Sequence, residues 1–190
     1  IKDCGEIYRS SKGRMDSGIY TIYPRASGGG DNSAPLRVFC RVEAGRAWTV
    51  IQRRQDGSVD FYNRTWEDYS RGFGNLTGEF WLGNDNIHLL TNQGRYKLYI
   101  DYEDFKGASV YSEYACFRVE NEQARYKLHL GPHSGTSNGH LWFQRGQEFK
   151  MNPCATIVRR GPSSSCYLHK AGGVWHFRCD VLNPNGFYWK

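Results

Sequence analysis

Tyr96-Lys97-Leu98-Tyr99-Ile100-Asp101-Tyr102 alternates apolar and polar side chains through its whole length. A strand turns successive side chains to opposite faces, so the stretch predicts a β-strand with one face in a core. Downstream, residues 109–119 are rich in β-formers and Tyr126-Lys127-Leu128-His129-Leu130 alternates again, which predicts three strands in one meander. Upstream, Gly18 to Tyr23, Leu36 to Val42 and Trp48 to Arg54 read as strands, with a Gly-rich loop from Gly28 to Asn32 in a hairpin-like start. Two short helices are expected. Thr65 would cap Trp66-Glu67-Asp68-Tyr69 ahead of Gly72, and Asn84 is a candidate cap for Asn86 to Leu90 with Gly94 beyond it. Strands with short helices make an α+β chain.

After Leu130 the pattern gives way to Gly, Pro, Ser, Asn and isolated aromatics for about sixty residues, which suits a compact domain only where the segment is functional or covalently stapled. Cys154, Cys166, Cys179 and the basic cluster between His133 and His176 all lie there. The sequence shows no internal repeat and no low-complexity linker, so residues 1–190 are read as a single domain.

Glycine at 22 residues and tyrosine at 13 argue against a helical bundle. At 39% hydrophobic and 15% aromatic the chain has the anchors to fold. The net charge of +6 gives a mildly basic surface suited to anionic partners. No apolar run approaches membrane-spanning length, and Ile1 opens without a charged-then-apolar leader, so the expectation is a mature chain without membrane insertion. The six cysteines form no CxxC pair, which disfavours a zinc finger and suits disulfides in an oxidising compartment. The sequons Asn63-Arg64-Thr65 and Asn75-Leu76-Thr77 offer two candidate glycosylation sites and agree with a secreted, extracellular chain.

Longer motifs carry a resemblance. They are Gly18-Ile19-Tyr20-Thr21-Ile22-Tyr23-Pro24, the run from Trp48 to Phe61, Gly72-Phe73-Gly74-Asn75-Leu76-Thr77-Gly78-Glu79-Phe80-Trp81-Leu82-Gly83-Asn84, and a terminal region Cys166, Gly172-Gly173-Val174-Trp175, Cys179 and Asn183-Pro184-Asn185-Gly186. Between Cys4 and about Trp189 the chain resembles a fibrinogen-like domain, of ficolin, tachylectin and mollusc sialic-acid-binding lectin type. The resemblance implies a twisted, mainly antiparallel central sheet, short helices and a loop-rich, disulfide-stapled C-terminal binding region. It implies bridges Cys4 to Cys40 and Cys166 to Cys179; Cys116 and Cys154 are additions, left to pair within the chain or between chains. Three departures stand out. No carboxylate remains between Asn152 and Ile157, where relatives place a calcium loop, so calcium binding is expected to be lost. The chain stops at Phe187-Tyr188-Trp189-Lys190, short of the family's last segment. The third is the extra cysteine pair.

The same resemblance puts the ligand pocket in the loop between Cys166 and Cys179, next to a cis peptide that falls here at Arg178-Cys179. Fibrinogen's pocket receives a peptide amine, but the matching positions, His169 and Lys170, are basic, and Asp180 follows the second cysteine. The expected ligand is therefore an acidic, acetylated sugar, sialic acid first. Arg178, Lys170 and Arg160 would face its carboxylate, with Trp175, Tyr188 or Phe187 as an apolar wall and His169, His176, Cys179 and Asp180 around it. The expected partners are sialylated or N-acetylated glycans and a second copy of the chain, with no nucleic acid; no cofactor or metal is expected. A receptor-binding or matrix-interaction module is the alternative.

An enzyme is not expected. Gly135-Thr136-Ser137-Asn138-Gly139 fits the G-x-S-x-G pattern, but an aromatic strand-like segment follows it where a hydrolase needs a helix. His129 and His133 have helical metal-site spacing broken by Gly131-Pro132. Arg53-Arg54 is expected on a solvated surface, and Trp48, Trp66, Trp81 and Tyr96 in the core.

Overall fold

Asp3 starts the fold. Its carboxylate accepts a hydrogen bond from the Glu6 N–H at 2.7 Å and caps helix α1, Cys4–Ser10. This helix has no counterpart in the sequence reading, because one turn and a half shows little periodicity. The computed structural model describes residues 1–25, 34–151, 172–175 and 184–185. The chain forms two compact units, one of Ile1–Val59 with Glu67–Gly94 and one of Asp60–Trp66 with Arg95–Lys190.

In the first unit, β1 (Gly18–Ile22), β2 (Leu36–Glu43) and β3 (Arg46–Val50) form an antiparallel sheet in that order. Ala44 and Gly45, both at positive φ, make the two-residue turn between β2 and β3, whose twist matches that of the strands it joins. A disulfide joins Cys4 of α1 to Cys40 of β2, where both are buried with Ile22 and Val38. The strand expected from Trp48 to Arg54 breaks at Ile51, whose carbonyl accepts from the Leu82 N–H. Gln52–Arg53 then forms β4, which pairs with β6 (Phe80–Trp81), itself paired with β5 (Phe73–Gly74).

The helix α2 covers Trp66–Arg71 and α3 covers Asn84–Asn92. Asn84 does not cap α3 as expected: it is its first residue and fully buried, and Gly83 at φ 103° takes the cap position. The reason is close approach. A Cβ on Gly83 would lie 2.5 Å from the Arg71 carbonyl oxygen, so only glycine fits beside that backbone.

In the second unit the expected meander is rearranged. β7 (Leu98–Glu103) and β8 (Ser109–Tyr114) pair as predicted, but the long β-rich run ends at Tyr114. Phe117–Val119 restarts as β9 and pairs with β10, Leu128–Leu130. The third strand beside β8 is β11, His133–Gly135, from the segment read as irregular. Residues Phe149–Met151 (β12) pair with Gly173–Trp175 (β13). The core here holds Tyr114, Phe117, Val119, Tyr126, Leu128, Phe149 and Val174.

Candidate functional site

A groove of about 410 Å³ lies in the second unit, lined by Pro132, His133, Asn138, Gly139, Trp142 and Phe143. Local chain geometry builds it. β11 carries His133 beside Tyr114 of β8, with ring centroids 5.2 Å apart. The turn after β11 is held by the Thr136 and Ser137 N–H groups, both donating to the Tyr111 carbonyl at 3.0 Å. Gly139, at φ 62°, then starts a 3-10 turn, His140–Gln144. A Cβ on Gly139 would sit 2.7 Å from the His133 ring, so the glycine lets backbone and imidazole approach closely.

The floor is polar. His133 Nε2 lies 3.3 Å from the hydroxyl of buried Ser112, which touches the Ser137 hydroxyl, and Ser137 Oγ accepts from the Gly139 N–H at 3.3 Å. Beneath it Tyr114 is fully buried, and that burial raises its hydroxyl above the ordinary tyrosine value. The rim is aromatic. Phe143 is 56% exposed, and the Arg145 guanidinium stands 4.1 Å over the Trp142 ring. The lining thus offers aromatic surface with the His133 imidazole and the Asn138 amide beside it, which suits a ligand with one apolar face and a few polar groups.

This geometry does not make a hydrolase of the G-x-S-x-G stretch. A 3-10 turn follows Ser137, with no helix to hold a nucleophile elbow, and His133 meets Ser112 instead of Ser137. The two histidines with metal spacing part ways as well: His129 Nε2 contacts Glu120 Oε1 at 2.5 Å on β10, while His133 faces the groove. That His129 contact, ahead of the Arg118 and Lys127 charges, holds the Glu120 carboxyl below its ordinary value. No cluster of three or more His, Cys, Asp or Glu side chains able to hold a metal occurs among the described residues.

Of the residues expected around the ligand, Arg160, His169, Lys170, His176, Arg178, Cys179, Asp180, Phe187 and Tyr188 lie outside the described residues, as do Cys154, Cys166, the Arg178-Cys179 bond and the segment from Asn152 to Ile157. Trp175 is described, and its position corrects its assignment to an open wall. The ring is 4% exposed, packs edge-on against Phe149 at 5.2 Å, and donates its indole N–H to the Tyr126 carbonyl at 2.6 Å. Strand pairing with β12 turns it into the core. Cys116 has a free, exposed thiol.

The basic pair Arg53-Arg54 also departs from expectation. Arg53 stacks 4.2 Å over Phe39 and donates to the Leu76 and Gly78 carbonyls at 3.3 and 3.4 Å. Arg54 is 14% exposed beside the buried carboxylate of Glu79. Of the four aromatics expected in the core, Trp81 is buried; Trp48, Trp66 and Tyr96 are half-buried. The groove residues Asn138, Trp142 and Phe143 escaped the sequence reading as a site; the only signal was an aromatic pair following a Gly-Ser-Asn turn.

The comparisons agree with the resemblance. The family described as "Fibrinogen beta and gamma chains, C-terminal globular domain" matches residues 1–190. Bovine (Bos taurus) fibrinogen-like protein 1 is 42% identical over 202 residues, covering 99% of this chain and 61% of that protein. Bovine fibroleukin is 41% identical over 192 residues, covering 99% of this chain and 42% of its own length. The chain thus spans about half the length of these curated relatives. Among solved structures, the fibrinogen-like globe domain of human ANGPTL2 superposes with a TM-score of 0.82 at 37% identity, covering 100% of this chain and 83% of that one. With a match along its full length, the chain belongs to the family of fibrinogen C-terminal globular domains.

Proposed function

We propose that residues 1–190 form a single, extracellular, non-enzymatic recognition domain whose ligands are glycans, acting in innate defence or agglutination. The observation that carries this reading is the groove, lined by the aromatic rings of Trp142 and Phe143 together with the His133 and Asn138 side chains. Sugars offer an apolar ring face and a fringe of hydroxyls, which the aromatic rings and the His133 and Asn138 side chains of the groove suit. The finer preference, for acetylated and acidic sugars with sialic acid first, rests on the basic residues Arg160, Lys170 and Arg178. A guanidinium presents paired N–H donors to a carboxylate. A homo-oligomer supplies the several sites that agglutination needs.

A glycan array tests this with wild type, Trp142→Ala and Arg178→Ala. Wild type should retain sialylated and N-acetylated glycans. Arg178→Ala should lose acidic ones by roughly tenfold or more, since a hydrogen bond to an ionised group is worth about 1.5–3 kcal/mol. Trp142→Ala should lose both classes. An array without signal overturns the reading.

A second reading, protein contact in a receptor or matrix setting, is favoured by the β7 to β8 hairpin. Phe105 is 73% exposed at its turn, and Val110 and Tyr111 are 41% and 40% exposed beyond it. Loss of binding to matrix or cell-surface protein on Phe105→Ser, with glycan binding absent, would favour that alternative.

A further inference from the structure

The two sequons sit in different local chemistry. Asn75 is at the first position of the hairpin turn between β5 and β6, closed by the Gly78 N–H donating to the Asn75 carbonyl at 2.9 Å and the Asn75 N–H donating to the Glu79 carbonyl at 2.8 Å. Its side-chain Oδ1 accepts from the Thr77 N–H at 3.0 Å and the Thr77 hydroxyl at 2.9 Å. The side-chain oxygen is thus occupied while the exposed side chain leaves its Nδ2 to solvent. Gly74, at φ 93°, makes the turn this tight: a Cβ there would meet the Glu79 carbonyl oxygen at 2.3 Å. Arg53 braces the turn from inside through the Leu76 and Gly78 carbonyls.

Asn63 does the reverse. Its Nδ2 donates to Asp60 Oδ2 at 2.9 Å and its backbone N–H donates to Asp60 Oδ1 at 3.1 Å. Asp60 further accepts from the Tyr62 N–H at 2.8 Å, and its carbonyl from Arg64 Nε at 2.7 Å. The amide nitrogen that a glycan would take is already spent on holding this turn.

We propose that Asn75 carries an N-linked glycan and Asn63 does not. The step is a group transfer from a polyprenyl-diphosphate-linked oligosaccharide. The Asn75 Nδ2–C1 bond forms, the bond from C1 to the diphosphate oxygen breaks, the amide gives up one proton to a base of the transferring enzyme, and the polyprenyl diphosphate leaves. Two hydrogen bonds into Oδ1 polarise the amide and ease the loss of that proton, and the protein loses no hydrogen bond when the sugar arrives. At Asn63 the same step must first break a bond to an ionised carboxylate, a factor of about ten or more against it. The inference rests on the extracellular reading above only for the route that the chain takes.

The test is expression behind a secretion leader in mammalian cells, followed by enzymatic deglycosylation in heavy-oxygen water and mass mapping of both peptides. Occupancy at Asn75 should exceed that at Asn63 by about tenfold or more. Asn75→Asp keeps the turn's oxygen and should abolish the glycan step on a gel; Thr77→Ser should keep it; Asn63→Asp should leave it unchanged. An unmodified Asn75, or equal occupancy at Asn63, overturns the proposal. Secreted protein that carries the Asn75 glycan and binds no sugar upholds this inference while overturning the glycan-binding reading.

Discussion

Glu79 has no exposed side-chain surface, yet it carries a charge. Its Oε1 accepts from the N–H groups of Gln55, Asp56 and Gly57 at 2.7, 3.0 and 2.9 Å, and its Oε2 from Val59 at 2.9 Å. Burial alone would raise the carboxyl; those four donors more than offset it and hold Glu79 below the ordinary carboxylate value. The carboxylate therefore gathers residues 55–59 around itself. Replacing it by glutamine leaves donors facing a neutral amide, and Glu79→Gln should lose about 3 kcal/mol of stability. The sign with pH follows from the lowered value. Its contribution is complete above the unfolded-state value of about 4.3 and drains away as pH falls through the folded one. Urea midpoints between about pH 3 and 6 should fall more steeply in wild type than in the variant, and parallel profiles would refute the role. None of this was legible in Gly78-Glu79-Phe80-Trp81, because a sequence does not say that a glutamate will be surrounded by the N–H groups of a loop twenty residues earlier. Arg54 misled for the same reason: a basic pair ordinarily lies in solvent, and here one member faces that carboxylate.

At the scale of elements, the legible parts were those with a strict period. Residues 98–103 and 109–114 pair as the alternation demands, and Gly18–Ile22 meets Leu36–Glu43 in a hairpin. What failed was partnership. The alternating run at 126–130 reads as a third strand beside 109–114, but Ala115-Cys116 interrupts the chain, with the Gly131 N–H donating to the Cys116 carbonyl at 2.8 Å, so the later strand takes β9 as its neighbour. Periodicity gives a strand its faces and says nothing of which edge it joins. Helix α1 shows the same limit: seven residues are too few for a period, and its place depends on the Cys4 to Cys40 bridge and on the Cys4 N–H donating to Thr49 Oγ1 at 3.2 Å. The bridge closes a sequence separation of 36 residues. A loop of that size contributes about 4 kcal/mol in the chain-entropy account. Cys40→Ser, or reduction of that bond alone, should lower the melting temperature measured by calorimetry; an unchanged melt would show that α1 is held by its side-chain packing instead.

For the whole molecule, the family was legible from motifs scattered between Gly18 and Gly186, whereas the groove was not. Motifs such as Gly72 to Asn84 build the scaffold, and the groove comes from a turn whose residues follow no pattern. The segment from Asn152 to Ile157 carries no carboxylate, and hard cations need charged oxygen ligands. Chelator should therefore leave the melting temperature unchanged, and a fall on adding EDTA would restore a calcium site. The groove itself divides its labour. Ser112 is fully buried, Ser137 and His133 are tied to it, and Gly139 fits because it lacks a side chain, whereas Asn138 and Phe143 stand in solvent. Exposed residues of that kind change with little effect on stability. The frame and the lettering on it are therefore separately editable: under the function proposed above, substitutions at Asn138 and Phe143 would rewrite what the groove selects while the sheet beneath stays as it is, which would give one scaffold room to diversify its targets.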